Sequence, residues 1–397
     1  MTRVVGALAA VYLVTALSVT AQPKTGREIF RFDTFGDEQL WTTTLQMHTV
    51  IPSLTPRAVL GLGLKVDVEA LPLSVLTALK ANPALLDSAP VTLQLLRLNA
   101  VVGVIGRVGS DDTLQSVGIT CALCHSTVDD SFAPGVDRRL DGWPNRTLKV
   151  GDIIASSPVL TEAQRAVYKS WKPGFYDPRF TAFKGIEEGF EILNPTSFPV
   201  VIPPAYGLRG VEFETFTGDG PISYWNAYVG ITQMGGRGDF HDPRIPLTVD
   251  QPPPDRVTPQ LPALLDYQLS LRAPDPPKGS FNVVAAQRGR QLFNGQARCD
   301  ACHTPPHFTD VLRGPGGRAV PFLHAPAETQ MEPEYASRSV TGQYRTTPLG
   351  GIWQHPPYFH DGSAPDLPAV VSHYNRVLSL GLSEAQKADL VEYLKSL

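Results

Sequence analysis

The residues most able to do chemistry are two pentapeptides, Cys121-Ala122-Leu123-Cys124-His125 and Cys299-Asp300-Ala301-Cys302-His303. They use all four cysteines of the 397-residue chain and give each pair its own histidine. Two thiols three positions apart can add to the two vinyl groups on one edge of a porphyrin, and the histidine that follows can turn its imidazole under the iron. The spacing therefore predicts two covalently bound haem c groups, attached through Cys121, Cys124, Cys299 and Cys302, with His125 and His303 as axial iron ligands. Paired CxxC motifs also support a zinc site or thioredoxin-like redox pairs. A histidine directly after both pairs favours haem.

The start of the chain agrees with that chemistry. Arg3 precedes an apolar run from Val4 to Val19, and Val19-Thr20-Ala21 supplies small residues at signal-peptidase offsets. The run is shorter than the roughly 20 residues a membrane span needs, so cleavage near Ala21, export to the periplasm and no lasting membrane insertion are expected. Haem is attached to such motifs outside the cytoplasm. Loss of residues 1–21 removes Arg3 and takes the net charge from −4 to −5. That mild acidity, without basic clusters, argues against nucleic acid as a partner.

Helical patterns place the motifs. Ala285 to Phe293 reads as a helix stopped by Asn294-Gly295, and Ser383 with Gln386 forms a capping box for a last helix whose face carries Leu390, Val391, Leu394 and Leu397. These two helices around the second motif suggest a class I cytochrome c module. Gly26 to Phe30 looks like the same opening helix, but nearly ninety residues separate it from Cys121. Helical patterns at Glu38–Val50, Leu73–Lys80 and Val91–Leu98 fill that interval; Thr161-Glu162-Ala163-Gln164 caps another helix, and Leu261–Leu271 forms one more. The expected fold is mainly α. It comprises a signal peptide (1–21), an N-terminal haem domain enlarged by a helical insertion and long loops (22–272), a proline-rich linker (273–279) and a C-terminal class I cytochrome c-like haem domain (280–397).

Gly26-Arg27-Glu28-Ile29-Phe30-Arg31-Phe32-Asp33, the two haem motifs and Pro357-Tyr358-Phe359-His360-Asp361-Gly362-Ser363 together resemble the bacterial di-haem cytochrome c peroxidase and MauG superfamily. No motif of that group occurs between 36 and 110 or from 126 to 190, which marks a divergent branch. The resemblance implies a C-terminal electron-transfer haem and an N-terminal peroxide-reactive haem. It also implies a distal ligand fourteen residues beyond His360, at Tyr374, where the peroxidases have methionine and MauG has tyrosine. Tyr374 also lies 71 residues after His303 and ahead of the last helix, where a class I cytochrome presents its sixth ligand. A tyrosinate favours oxidised iron, and axial ligands tune haem potentials over about 0.8 V. His373, Met331 and an ordinary packing role for Tyr374 are the other readings.

Over the N-terminal haem, no histidine occurs between His125 and His241, so the distal histidine of many peroxidases is missing. Either that iron is five-coordinate or a residue such as His48 reaches it. The stretch Ile202 to Leu208, followed by Tyr224-Trp225, resembles the segment leading to the tryptophan between the haems, which makes Trp225 an electron-transfer candidate or a core aromatic. Gln233 stands where the peroxidases have glutamate, and an amide cannot exchange a proton as a carboxylate does. Asp219, Asp239 or Glu214 are possible substitutes. Arg338 and Arg345 are candidates to hold haem propionates, with His360 beside them at the domain interface. Family calcium would use carbonyls matching His355 and Pro357 plus an asparagine that is here Val201 or Ile202, so calcium is allowed and not predicted.

Three functions follow. The first is a peroxidase or MauG-like oxidoreductase using hydrogen peroxide with an electron-donor protein or small redox substrate. The others are a pure di-haem electron carrier and an oxygen-activating dioxygenase of the rubber-cleaving type.

Overall fold

The computed structural model describes residues 22–185, 189–192, 196–211, 213–243, 247–311 and 322–397. The export-signal pattern of residues 1–21 lies outside them. The fold is mainly α, and each sheet among the described residues has only two strands.

Two helix crossings organise the chain. Helix Gly26–Phe32 starts at a capping box between Thr25 and Glu28 and packs on helix Leu261–Ser270. Contact is so close that a Cβ on Gly26 would stand 1.9 Å from the Ala263 carbonyl oxygen. Four residues on, Phe30 meets Tyr267 edge to face with ring centroids 5.6 Å apart. Helix Val283–Asn294 packs on helix Glu384–Lys395 in the same way. There a Cβ on Gly289 would lie 2.0 Å from the Asp389 carbonyl oxygen, and Phe293 meets Tyr393 at 5.2 Å. Each crossing uses glycine to let backbones touch and an aromatic pair one turn away to lock the angle.

A second feature also recurs. Glu214 bridges to Gly220, with positive φ at Thr215 and Gly218; Tyr358 bridges to Ala364, with positive φ at Phe359 and Gly362. A helix follows each loop. Ile222–Tyr228 runs on into the wider turns of Val229–Gln233, and Leu367–Val377 is capped by Asp366.

The capping boxes at Thr161/Gln164 and Ser383/Gln386 form as expected, and helices cover Leu73–Ala81 and Ala89–Arg97. The interval before Cys121 is not purely helical, however. An antiparallel hairpin, Val104–Val108 with Leu114–Ile119, leads into the first motif, burying Val104, Leu114 and Val117. Glu38–Val50 is broken into Gln39–Thr44 and Met47–Val50 at Gln46, which has positive φ. One core gathers around Leu40, Leu96 and Leu148, a second around Phe30, Ile231 and Leu264, and a third around Phe293, Val371 and Leu390.

Overpacking costs about 1–3 kcal/mol even where side chains can adjust, and the Gly289 contact is to backbone. Gly289→Ala is therefore expected to lower the thermal unfolding midpoint by several degrees. Gly61→Ala, at a position with nothing within 4 Å, is expected to leave it in place. Equal midpoints for the two variants would refute the crossing argument.

Candidate functional site

The first motif forms the short helix Ala122–His125. His125 Nδ1 lies 3.1 Å from the carbonyl oxygen of Pro203. A carbonyl only accepts, so Nδ1 carries the proton and the Nε2 lone pair stays free for a metal. Burial drags His125 down to about 4, which keeps the ring neutral. Cys121, Cys124 and His125 all line one cavity of about 230 Å³ with mainly apolar walls, including Leu40, Ile154 and Ile202. The second motif repeats the arrangement: His303 Nδ1 donates to Phe308 O at 2.9 Å, and Cys299, Cys302 and His303 line a cavity of about 420 Å³.

The thiols distinguish the chemistries. Burial pushes Cys121 and Cys124 up to about 12 and Cys299 up to about 11, opposite to the lowered values of reactive redox pairs. The pairs also line different cavities, so the four sulfurs do not converge on one zinc ion. Two thiols beside one neutral imidazole with a free nitrogen in a mainly apolar chamber fit covalently attached haem.

Tyr374 stands on helix Leu367–Val377 and lines the second cavity with His303. Burial holds its phenol up to about 12, so an anionic phenolate there needs a cation such as ferric iron. Met331 also lines this cavity. His373 does not; its Nε2 is 2.8 Å from the Thr329 carbonyl oxygen.

The other candidates separate clearly. His48 is on Met47–Val50 and does not line the first cavity. Trp225 lines the first cavity alone, with a buried, unpartnered Nε1 and the Arg179 guanidinium 5.3 Å above its ring. The wall common to both cavities is instead Val201, Pro203, Pro204, Leu208 and Thr215. Gln233 lines the first cavity and accepts from the Tyr176 hydroxyl at 2.7 Å. Of the three substitute acids, only Glu214 reaches this cavity. Asp219 pairs with Arg179 and accepts from Thr217, and Asp239 accepts from the Gln251 backbone.

Arg338 lies outside the second cavity and makes a two-pronged ion pair with buried Asp177, at 3.1 Å for each prong. Arg345 lines the cavity while bonding Phe213 O at 2.6 Å and Glu214 at 2.9 Å. His360 is buried against Tyr344, whose hydroxyl is 3.0 Å from its Nε2.

Sequence reasoning passed over three groups. Tyr176 is placed by the pairing of Phe175–Tyr176 with Val200–Val201, which no local pattern announces. His324 lies between Asp310 and Glu328 at 3.1 and 2.8 Å and is raised to about 11, Asp310 being the main cause. Arg146, the third, donates to Ile202 O at 2.7 Å and His355 O at 2.9 Å. Of the carbonyls where calcium was allowed, that of His355 is already held by a guanidinium, and the asparagine side chain is replaced by the apolar Val201 or Ile202, so the residues present do not fit a calcium ion.

Two CxxCH motifs on mainly apolar chambers have the chemistry of a c-type cytochrome, and comparison with known proteins narrows the class. Residues 342–379 match the family described as RoxA-like, cytochrome c-like. The chain is 32% identical over 127 residues to the methylamine utilization protein MauG of Methylorubrum extorquens, covering 28% of this chain and 34% of that one. It is 26% identical over 149 residues to cytochrome-c peroxidase IdrP1 of Denitromonas iodatirespirans, covering 28% and 40%. The chain thus spans little more than a third of these relatives. Among solved structures, hydrazine synthase of Kuenenia stuttgartiensis matches with a TM-score of 0.33 at 20% identity, over 51% of this chain and 74% of that one. A MauG-like protein associated with microbial copper homeostasis matches at 0.28 and 20%, over 36% and 54%. The sequence matches support the resemblance to the di-haem cytochrome c peroxidase and MauG superfamily. No helix among the described residues is long and apolar enough to cross a membrane.

Glu214 offers a pH test. Burial outweighs Arg345 and raises it to about 7, against 4.5 for an ordinary glutamate. The folded protein holds this proton more tightly than the unfolded chain. Its contribution to stability is therefore full below about pH 4.5, is lost as pH rises towards 7, and is flat above. Glu214→Gln is expected to flatten the pH dependence of the unfolding midpoint between 4.5 and 7; an unchanged slope would show that the carboxyl titrates elsewhere.

Proposed function

We propose that the protein is an exported di-haem oxidoreductase of peroxidase or MauG type, built from two cytochrome c-like haem domains, 22–272 and 280–397, joined by 273–279. Bound through Cys121/Cys124 and Cys299/Cys302, the two haems would supply a peroxide-reactive iron in the first cavity and an electron-transferring iron in the second.

The observation that carries this reading is a difference between the two repeated loops. Aligned on their bridges, Val370, Tyr374 and Leu378 correspond to Asn226, Gly230 and Met234, and all six line their cavities. Where the second cavity has the Tyr374 phenol, the first has a glycine. The chain provides no axial side chain at that register, which leaves room for a small oxidant. Gln233, three residues on, is oriented by Tyr176, and that hydroxyl and amide can hold a polar ligand in an otherwise apolar chamber. Proton transfer falls to Glu214, whose Oε2 is tied to Arg345 while its buried Oε1 has no partner. A carboxyl near its midpoint at neutral pH can both take and return a proton.

The test is to mix the purified diferric protein with hydrogen peroxide and a reduced donor. Rapid spectral change with donor oxidation is expected, and an inert six-coordinate spectrum, for instance with the Met234 thioether bound, would favour the carrier reading. Tyr374→Phe is expected to alter the spectrum of one haem only; a change in both, or in neither, would overturn the ligand assignment. The match of residues 342–379 to a RoxA-like family favours a second reading, oxygen-dependent cleavage of an unsaturated hydrocarbon in the apolar first cavity. Oxygen uptake with such a substrate, and none with peroxide and donor, would establish it.

A further inference from the structure

Arg146 is a buried cation whose carboxylate partner is not among the described side chains. It follows Asn145, whose backbone donates to Cys124 O at 2.9 Å and whose side chain donates to Gly63 O at 2.9 Å, so its backbone is anchored beside the first motif. The guanidinium nevertheless reaches the wall of the second cavity. It donates to Ile202 O and His355 O, and to His355 Nδ1 at 3.3 Å. Burial and the guanidinium hold His355 down to about 3, so that ring is a neutral acceptor. Arg146 Nε remains buried without a partner. Its neighbours Tyr206 and Tyr358 are phenols that burial keeps neutral, and burial drags the guanidinium down to about 10.

Taking a cation out of water without an anion is strongly unfavourable. Carbonyls satisfy its hydrogens but do not cancel its charge. A guanidinium with a spare N–H in a cavity wall is suited to a carboxylate, which it can bind with charge-assisted hydrogen bonds. Of the carbonyls at which a divalent cation was allowed by resemblance, the guanidinium holds that of His355, and Ile202 is one of the two residues at the place of the asparagine ligand.

We infer that Arg146 is the built-in interface cation of this protein, standing in for calcium at the His355 carbonyl and pairing with a carboxylate presented in the second cavity, the propionate of the C-terminal haem. This rests on the haem reading above. It makes a residue from the N-terminal half part of the C-terminal haem's binding site, and it assigns to Arg146 the propionate-holding charge expected of Arg338.

The holoprotein and its Arg146→Gln and Arg146→Lys variants provide the test, with three readouts. Mass spectrometry of the wild type should show two haem adducts; their absence would sink the haem reading and this one together. With both adducts present, spectroscopic redox titration of Arg146→Gln should show a downward shift confined to the C-terminal haem, because removing a positive charge favours ferric iron, with partial recovery in Arg146→Lys. Unchanged potentials, or equal shifts in both haems, would overturn the assignment while leaving the haem reading intact. Calorimetry of the wild type with calcium chloride should give no binding and no change in either potential. This arm stands even if the variants fail to fold, and saturable calcium binding that shifts the C-terminal haem would refute the proposal.

Discussion

One stretch of backbone, Val200 to Leu208, has to serve as wall for two cavities, and most of the site depends on how it is held. Val200–Val201 pairs with Phe175–Tyr176 and so places the Tyr176 hydroxyl. Val201 N donates to His360 O at 2.8 Å, tying the stretch to the loop that precedes the Tyr374 helix. Ile202 O takes Arg146, and Pro203 O fixes the tautomer of His125. Proline has no N–H to satisfy, so Pro203 and Pro204 can run through an apolar wall with fewer buried donors to pair. A displacement here would reach His125 of one cavity and Arg146 of the other together. That is a physical basis for coupling between the two centres.

The repeated crossings and loops show how one plan is given two chemistries. Glycine against backbone and phenylalanine against tyrosine are common to both halves, since helix packing makes the same demand on each. The differences fall on cavity positions. Tyr374 corresponds to Gly230, Tyr358 to Glu214 and His360 to Phe216 when the loops are aligned on their bridges. One half gains a large phenol over its cavity and the other gains space and an acid. The scaffold is shared; what faces the cavity is not.

Much of this was legible in sequence where a local rule applied. The CxxCH spacing brought thiols and imidazoles to two cavities, and capping boxes marked helix starts at Thr161 and Ser383 because those bonds lie within four residues. The count from His360 to Tyr374 identified a residue that does line the second cavity. What stayed hidden depends on distant pairing. Tyr176 meets Gln233 across 57 residues, Arg146 meets His355 across 209, and Arg338 is taken by Asp177 across 161. His48 had the right side chain on a helix whose cavity-facing side could not be read from a four-residue element. The hairpin before Cys121 was missed because its buried residues, Val104, Leu114 and Val117, are too few and too unevenly spaced to separate from a helical pattern.

The substitution of glutamine at 233 looks at first like a loss of acid chemistry. The hydrogen bonding argues otherwise. A carboxylate at 233 would face the Tyr176 hydroxyl in an apolar chamber, and desolvation would drive it towards the neutral form. At 214 a carboxyl has Arg345 on one oxygen and the cavity on the other, which holds it at about 7 and leaves it able to exchange. Moving the acid from the helix to the loop therefore places it beside a charge that can stabilise its anion, while Gln233 and Tyr176 remain as a neutral pair that binds without titrating.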